Sequence, residues 1–156
     1  MKKRTWLVYL ISILIALAVG GLSAIFSHNC MDAFDVLKKP VFAPPGWVFP
    51  IVWTALFILM GISAAIIYNS NSPERTSALW LYAAQLFVNF WWTIIFFCWQ
   101  LRLFAFVWIL LLIALVIGMI VRFIRINKVA GLIQLPYLAW LFLAAALNLS
   151  IFILNG

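Results

Sequence analysis

The chain has few charged residues: three acidic side chains, ten lysines and arginines and one histidine among 156 positions. The acidic residues, Asp32, Asp35 and Glu74, all fall outside the long apolar segments, so those segments hold no carboxylate for a proton relay or an ion pathway. This argues against an ion-coupled pump. The sequence also lacks a glycine-rich phosphate loop, a cluster of metal ligands and a nucleophile paired with a base. We therefore expect neither a metal site nor a required cofactor.

Apolar residues fill most of the chain instead. They make up 69% of it, and its mean hydropathy is +1.22, far outside the range of soluble domains. Five segments reach the roughly 20 apolar residues that a membrane-spanning helix needs: 6–27, 47–68, 78–98, 103–123 and 132–154. The first resembles a signal peptide but is longer than a signal's apolar core, so we interpret it as a span. We predict an all-α integral membrane bundle of five transmembrane helices, with residues 1–156 as one domain.

The basic residues are divided unequally between alternate loops. Seven lie on one side of the predicted bundle, namely Lys2, Lys3, Arg4, Arg75, Arg122, Arg125 and Lys128, and three on the other, namely Lys38, Lys39 and Arg102. The positive-inside rule then predicts a multi-pass protein of the cell membrane with a cytoplasmic N-terminus. The net charge of +7 reflects this orientation, and we expect no binding of nucleic acid.

Cysteine and histidine are also scarce. Cys30 and Cys98 both fall on the predicted outer side, so a disulfide is conceivable, but reduced and packed thiols are the favoured interpretation because their spacing indicates no site. His28, at the edge of the first span, is interpreted as a solvated loop residue, with a role as a metal or haem-iron ligand as the less favoured alternative.

The longest connection, residues 28–46, joins the first two spans and contains three prolines. A loop of this length in a compact membrane protein is usually functional, and its prolines stiffen it. Phe34, Leu37, Val41 and Phe42 are apolar enough to fold onto the bundle. We predict that residues 28–46 form a lid on the outer face; a disordered polar linker is the alternative.

The first span carries small residues at intervals of four, Ala16, Gly20 and Ala24. Such spacing lets two helix backbones approach closely. The partner is either another span of the same chain or a second copy of the protein, and the pattern does not distinguish them.

Nine tryptophans are distributed over the chain. Anchoring at the membrane interface explains those at span ends: Trp6, Trp47, Trp80 and Trp99. A second group lies deeper: Trp53, Trp92, Trp108 and Trp140. At about 1.5 Å per residue, Trp53 lies roughly 10 Å below the outer boundary and Trp140 near the middle of the membrane. Trp108 is expected to face lipid or another helix.

Helical spacing places aromatic and amide side chains on one face of three spans: Phe49, Trp53, Phe57 and Met60; Gln85, Asn89, Trp92 and Phe96; Tyr137, Trp140, Ala144 and Asn148. One interpretation is packing, with Asn89 and Asn148 as interhelical hydrogen-bonding groups. The other is an apolar pocket with a few polar groups, covered by the lid and suited to a flat polycyclic ligand.

Three stretches carry a family resemblance: residues 37–53, with Pro40, Pro44 and Pro45 before Trp47 and Trp53; residues 85–92; and residues 135–148. They resemble the tryptophan-rich sensory protein family, which includes the mitochondrial translocator protein, over nearly the whole chain. The resemblance implies a five-helix bundle, commonly a homodimer, that binds porphyrins and other flat aromatic ligands beneath the first loop.

By position, the resemblance implies a set of ligand-binding residues: Phe34, Pro44, Trp53, Phe57, Asn89, Trp92, Trp140 and Ala144. It implies a membrane receptor or sensor, with light-dependent porphyrin degradation at Trp53 and Trp140 as a photochemical activity. A transporter of porphyrins or related small hydrophobic molecules is the alternative. The family often has Trp-Tyr where this chain has Ala33 and Phe34, which puts porphyrin affinity or photochemistry in doubt. The tyrosine and basic residue of the animal sterol motif are absent after Trp140, so sterol binding is not expected.

Overall fold

A computed structural model describes residues 2–155 of the protein. Five of its helices, one in each predicted segment, are long and apolar enough to cross a membrane. They are α1 (Lys2–Ser27), α3 (Val48–Tyr68), α4 (Arg75–Thr93), α5 (Arg102–Ile126) and α7 (Leu135–Asn155), with the short helices α2 (Met31–Asp35) and α6 (Lys128–Leu132) between them. The described residues contain no strand. The predicted all-α bundle of five spans is confirmed.

Two of the predicted spans are not single continuous α-helices in the structure. The third continues past α4 as a π-helical turn, Ile94–Cys98, and so reaches Cys98 as predicted. The fifth begins at Leu135 rather than at residue 132, because a separate short helix, α6, precedes it. Asn127 begins α6: its backbone is extended, and its side-chain oxygen accepts hydrogen bonds from the backbone N–H groups of Val129 and Ala130 at 2.9 and 3.2 Å.

Small residues hold α1 close to α3. A Cβ atom on Gly61 of α3 would lie 2.5 Å from the Cα atom of Ile13, and one on Gly20 would lie 2.5 Å from the Phe57 ring. Ala16, one turn from Gly20, is fully buried. The small-residue face of α1 around Ala16 and Gly20 therefore packs within the chain, and this contact leaves it closed to a second copy.

Residues 28–46, called the lid, lie at one end of the bundle, which we call the lid end. Cys30 in the lid and Cys98 at the end of the π-helical turn form a disulfide, with their Cα atoms 5.0 Å apart. The interpretation of two reduced thiols is wrong. The two cysteines are 68 residues apart in sequence, so only the packing of the lid against the third span brings them together.

The lid folds onto the bundle in part. Phe34 and Leu37 pack against the core, as predicted, but Val41 and Phe42 are exposed, so the prediction that they fold down is wrong. The reason is a turn in which the Ala43 N–H donates to the Pro40 carbonyl at 3.1 Å and places the two residues between them at its tip.

Candidate ligand-binding cavity

A cavity of about 500 Å³ lies at the lid end, between α1, α3, α4 and α7. This volume falls within the roughly 300–1,000 Å³ usual for small-molecule sites. The lid covers it with His28, Met31, Phe34, Asp35 and Gly46. The remaining lining residues are Gly20, Ser23, Ala24, Ser27, Phe49, Pro50, Trp53, Phe57, Asn89, Trp92, Thr93, Phe96, Phe97, Trp140, Ala144, Leu147 and Asn148.

One wall of the cavity is built from rings on α3 and α7. The ring of Trp140 lies 6.4 Å from that of Trp53, with their planes at 89°, and 5.7 Å from that of Phe49. Phe57 lies 5.7 Å from Trp53 on the next turn of α3. Phe49, Trp53 and Phe57 share one face of α3 because their spacing follows the helical repeat, as the sequence predicts. Each ring is held by another ring, so the wall presents flat apolar faces in set orientations.

A second wall comes from the third span and its π-helical turn. Trp92 stacks on Phe96 at 5.4 Å with an angle of 15° between the planes. The wider turn lets both Phe96 and Phe97 reach the lid, where their rings lie 6.0 and 5.1 Å from Phe34. The α-helical stripe predicted from sequence includes Phe96 but misses Phe97. No sequence signal marks the π-helical turn that brings it in.

Amide and hydroxyl groups form a hydrogen-bonded chain at the end of the cavity away from the lid. The Asn89 amide N–H donates to the Tyr137 hydroxyl at 2.7 Å, and that hydroxyl donates to Gln85 Oε1 at 2.7 Å. Asn89 lines the cavity, and no described residue donates to its amide oxygen. Asn89 therefore joins two helices and still has a free acceptor for a bound molecule.

Asn148 differs from Asn89 because both the oxygen and the nitrogen of its amide form hydrogen bonds within the protein. It accepts from the Trp92 indole N–H at 3.1 Å and donates to the Arg102 carbonyl at 2.8 Å. This fixes the orientation of Trp92 in the cavity wall. Both interpretations of the amides, as interhelical hydrogen-bonding groups and as pocket residues, therefore apply. Asn148 links helices through both ends of its amide, whereas Asn89 links helices and keeps a free oxygen in a residue that lines the cavity.

Seven of the eight sequence-predicted ligand-binding residues line the cavity: Phe34, Trp53, Phe57, Asn89, Trp92, Trp140 and Ala144. The eighth, Pro44, does not; it lies in the lid before Gly46, which does. Ser23 and Ser27, on the polar side of α1, also line the cavity, although helical spacing in the sequence does not predict it. In a sequence, small residues on one helix face indicate helix packing, and nothing marks this face of α1 as part of a ligand-binding site.

His28 is exposed and also lines the cavity at the lid, and the described residues hold no group of three or more His, Cys, Asp or Glu side chains that could bind a metal ion. Trp108, one of the deep tryptophans, lies outside the cavity lining. Its indole N–H donates to the Val88 carbonyl at 2.8 Å, so it packs α5 against α4.

Tyr137→Phe should lower the free energy of unfolding by about 1–3 kcal/mol, because Asn89 and Gln85 would each lose a buried hydrogen-bond partner. Tyr82→Phe is the matched control. The Tyr82 hydroxyl is buried and has no partner among the described residues, so its removal should not destabilise the protein. Thermal unfolding of both variants in one detergent, followed by circular dichroism, gives the comparison. Equal losses of stability would contradict the proposed role of the chain of hydrogen bonds.

The comparisons with known proteins agree with one another. A family model described as the TspO/MBR family matches residues 12–154. A protein named CrtK from Rhodobacter capsulatus is 40% identical over 139 residues, which cover 87% of this chain and 85% of that protein. Tryptophan-rich protein TspO of Chlorobaculum tepidum is 36% identical over 90% of this chain and 91% of its own length. Translocator protein of Ovis aries is 34% identical over 72% of this chain and 68% of its own length.

Proposed function

Because this chain belongs to the TspO/MBR family and has five helices able to span a membrane, we propose that it is a membrane receptor or sensor that binds porphyrins and other flat aromatic molecules in the cavity beneath its lid. The observation that carries the proposal is the cavity of about 500 Å³ between two aromatic walls, with the free amide oxygen of Asn89 at its far end. Indole and phenyl faces stack on flat rings, and an amide oxygen can accept from a pyrrole N–H or a protonated carboxyl group.

A second candidate function is light-dependent degradation of the bound porphyrin. It is favoured by the two indoles of Trp53 and Trp140, which lie 6.4 Å apart in the same wall. Excited porphyrin would react with dioxygen or with an indole, while the cavity limits escape of the products. Such a reaction does not depend on a general acid or base. Among the described lining residues, the only Asp, Glu, His, Lys, Arg, Cys or Tyr are His28 and Asp35 at the lid.

Titration with protoporphyrin tests the proposal directly. A porphyrin in the cavity should quench the tryptophan fluorescence of the purified protein to saturation. Ala144→Leu should weaken this binding by about ten-fold, because the larger side chain occupies cavity volume beside Trp140. Ala146→Leu, on the exposed side of the same helix, is the matched control and should bind as the unmodified chain does.

Two outcomes would count against the proposal. The absence of saturable quenching would contradict porphyrin binding, and equal affinities for the two alanine variants would contradict binding in this cavity.

Porphyrin counterflow in proteoliposomes separates a receptor from a transporter. Movement of porphyrin across the membrane would favour the transporter.

A further inference from the structure

The lid is fastened to the bundle on both sides of α2. Before α2, the disulfide joins Cys30 to Cys98. After α2, the side chain of Asn155, at the end of α7, pairs with the backbone of Lys38: the Lys38 N–H donates to Asn155 Oδ1 at 3.0 Å, and Asn155 Nδ2 donates to the Lys38 carbonyl at 2.9 Å. Between these two points Phe34 packs on the rings beneath it. Lifting this part of the lid would break a covalent bond or an entire set of contacts.

Side-chain contacts also close two of the seams between helices at the lid end. The ring of Trp140 lies against those of Phe49 and Trp53 and so closes the seam between α7 and α3. The hydrogen bond from Trp92 to Asn148 joins α4 to α7 across the next seam. A flat molecule could not pass either seam without breaking the wall that would bind it.

The seam between α1 and α4 is closed in a similar way. The rings of Phe26 and Phe90 meet edge to face at 6.1 Å, and the Ser23 hydroxyl donates to the Phe90 carbonyl at 3.5 Å. The disulfide lies above these contacts and ties the same end of α4 to the lid. This leaves the seam between α1 and α3.

Between α1 and α3 the lining residues are small. The two helices are in close contact at Gly20 and Phe57, which form the lower limit of the seam. Toward the lid, three exposed residues line the cavity: Ala24 on α1, Gly46 at the end of the lid and Pro50 in the first turn of α3. Among the described residues, no hydrogen bond or ring contact joins these three positions across the seam.

We propose that ligands enter and leave the cavity sideways, from the membrane, through a portal between α1 and α3 bounded by Ala24, Gly46 and Pro50. The ligand class is then a flat, largely apolar molecule that dissolves in the bilayer and reaches the cavity from the leaflet at the lid end. This inference rests on the proposed binding function. The fastened part of the lid serves as a roof that stays in place during exchange.

Protoporphyrin provides the probe, with its binding to the full chain in lipid nanodiscs followed by stopped-flow quenching of tryptophan fluorescence. Ala24→Phe should slow both association and dissociation by about ten-fold, because the larger side chain narrows the path in both directions. Ala18→Phe, an exposed position on α1 outside the cavity lining, is the matched control and should leave both rates unchanged. Unchanged rates in Ala24→Phe would overturn the portal, and so would faster dissociation alone, which would make Ala24 only part of the wall.

A second measurement tests the alternative route, through the lid, and does not depend on the folding of Ala24→Phe. A phosphine reductant that converts the disulfide to two thiols is applied to the unmodified chain and to Asn155→Ala. The portal predicts association rates that stay within about two-fold in both, whereas a route through the lid predicts a rise of about ten-fold or more. Such a rise would overturn the inference and leave the proposed binding function intact. Absence of protoporphyrin binding by the unmodified chain would instead contradict the binding function, and the portal with it.

Discussion

Replacing Gly61 with alanine should lower the free energy of unfolding by about 3 kcal/mol, because the added Cβ atom overpacks a close helix contact. That atom would lie 2.5 Å from the Cα atom and 2.8 Å from the backbone nitrogen of Ile13. A backbone cannot rotate away as a side chain can, so α1 would have to move off α3. Because α1 also forms one side of the cavity, the same change should weaken ligand binding.

Gly118→Ala provides the control for Gly61→Ala. Gly118 also lies within a long helix, but a Cβ atom there would meet nothing within 4 Å. Alanine favours the helix over glycine, so this variant should be neutral or slightly more stable. The measurement is thermal unfolding in detergent followed by circular dichroism, in which we expect the midpoint of Gly61→Ala to fall by on the order of 5–10 °C. Coinciding midpoints for the two variants would show that α1 and α3 are not held by this contact.

Light-driven consumption of protoporphyrin should fall by on the order of ten-fold in Trp53→Phe and in Trp140→Phe, while each variant still binds the porphyrin. Phenylalanine keeps a flat apolar face toward the cavity, so stacking is retained. It removes the electron-rich indole, which is the group in these walls that can react with an excited porphyrin. A large loss of product without a matching loss of binding distinguishes chemistry from affinity.

Trp80→Phe is the control for this experiment, since Trp80 is 73% exposed and lies outside the cavity lining. All variants are compared under the same illumination, with binding measured in the dark and product by absorbance. If Trp53→Phe and Trp140→Phe both turn over at the rate of the unmodified chain, the degradative function is wrong and the receptor function stands without it.

Much of the cavity could be predicted because the helical repeat is regular. Spacing of three and four residues places Trp53 beside Phe57 on α3, and Trp140 beside Ala144 on α7, whatever the rest of the chain does. Family resemblance then indicated that these faces meet. The α-helical repeat does not predict Phe97, because the π-helical turn changes the repeat locally. Pro44 lies outside the cavity lining, and as a loop residue it has no repeat that orients it.

Other features depend on which elements become neighbours. The disulfide joins residues 68 positions apart, and its formation depends on the lid lying against the end of the third span. Similarly, the small residues on α1 predict a close helix contact but do not determine which helix makes it. The packing of Gly61 against Ile13 shows that the partner helix is α3.

Composition and periodicity thus decided that the chain forms five apolar helices and which face of three of them carries the rings and amides. Both properties are local, since they follow from the cost of an unpaired backbone in lipid and from 3.6 residues per helical turn. Only the folded chain decided that Cys30 and Cys98 are bonded, that Asn155 holds the lid, and that the seam between α1 and α3 is left with small side chains. Those contacts join residues far apart in sequence, and no local rule of the backbone specifies them.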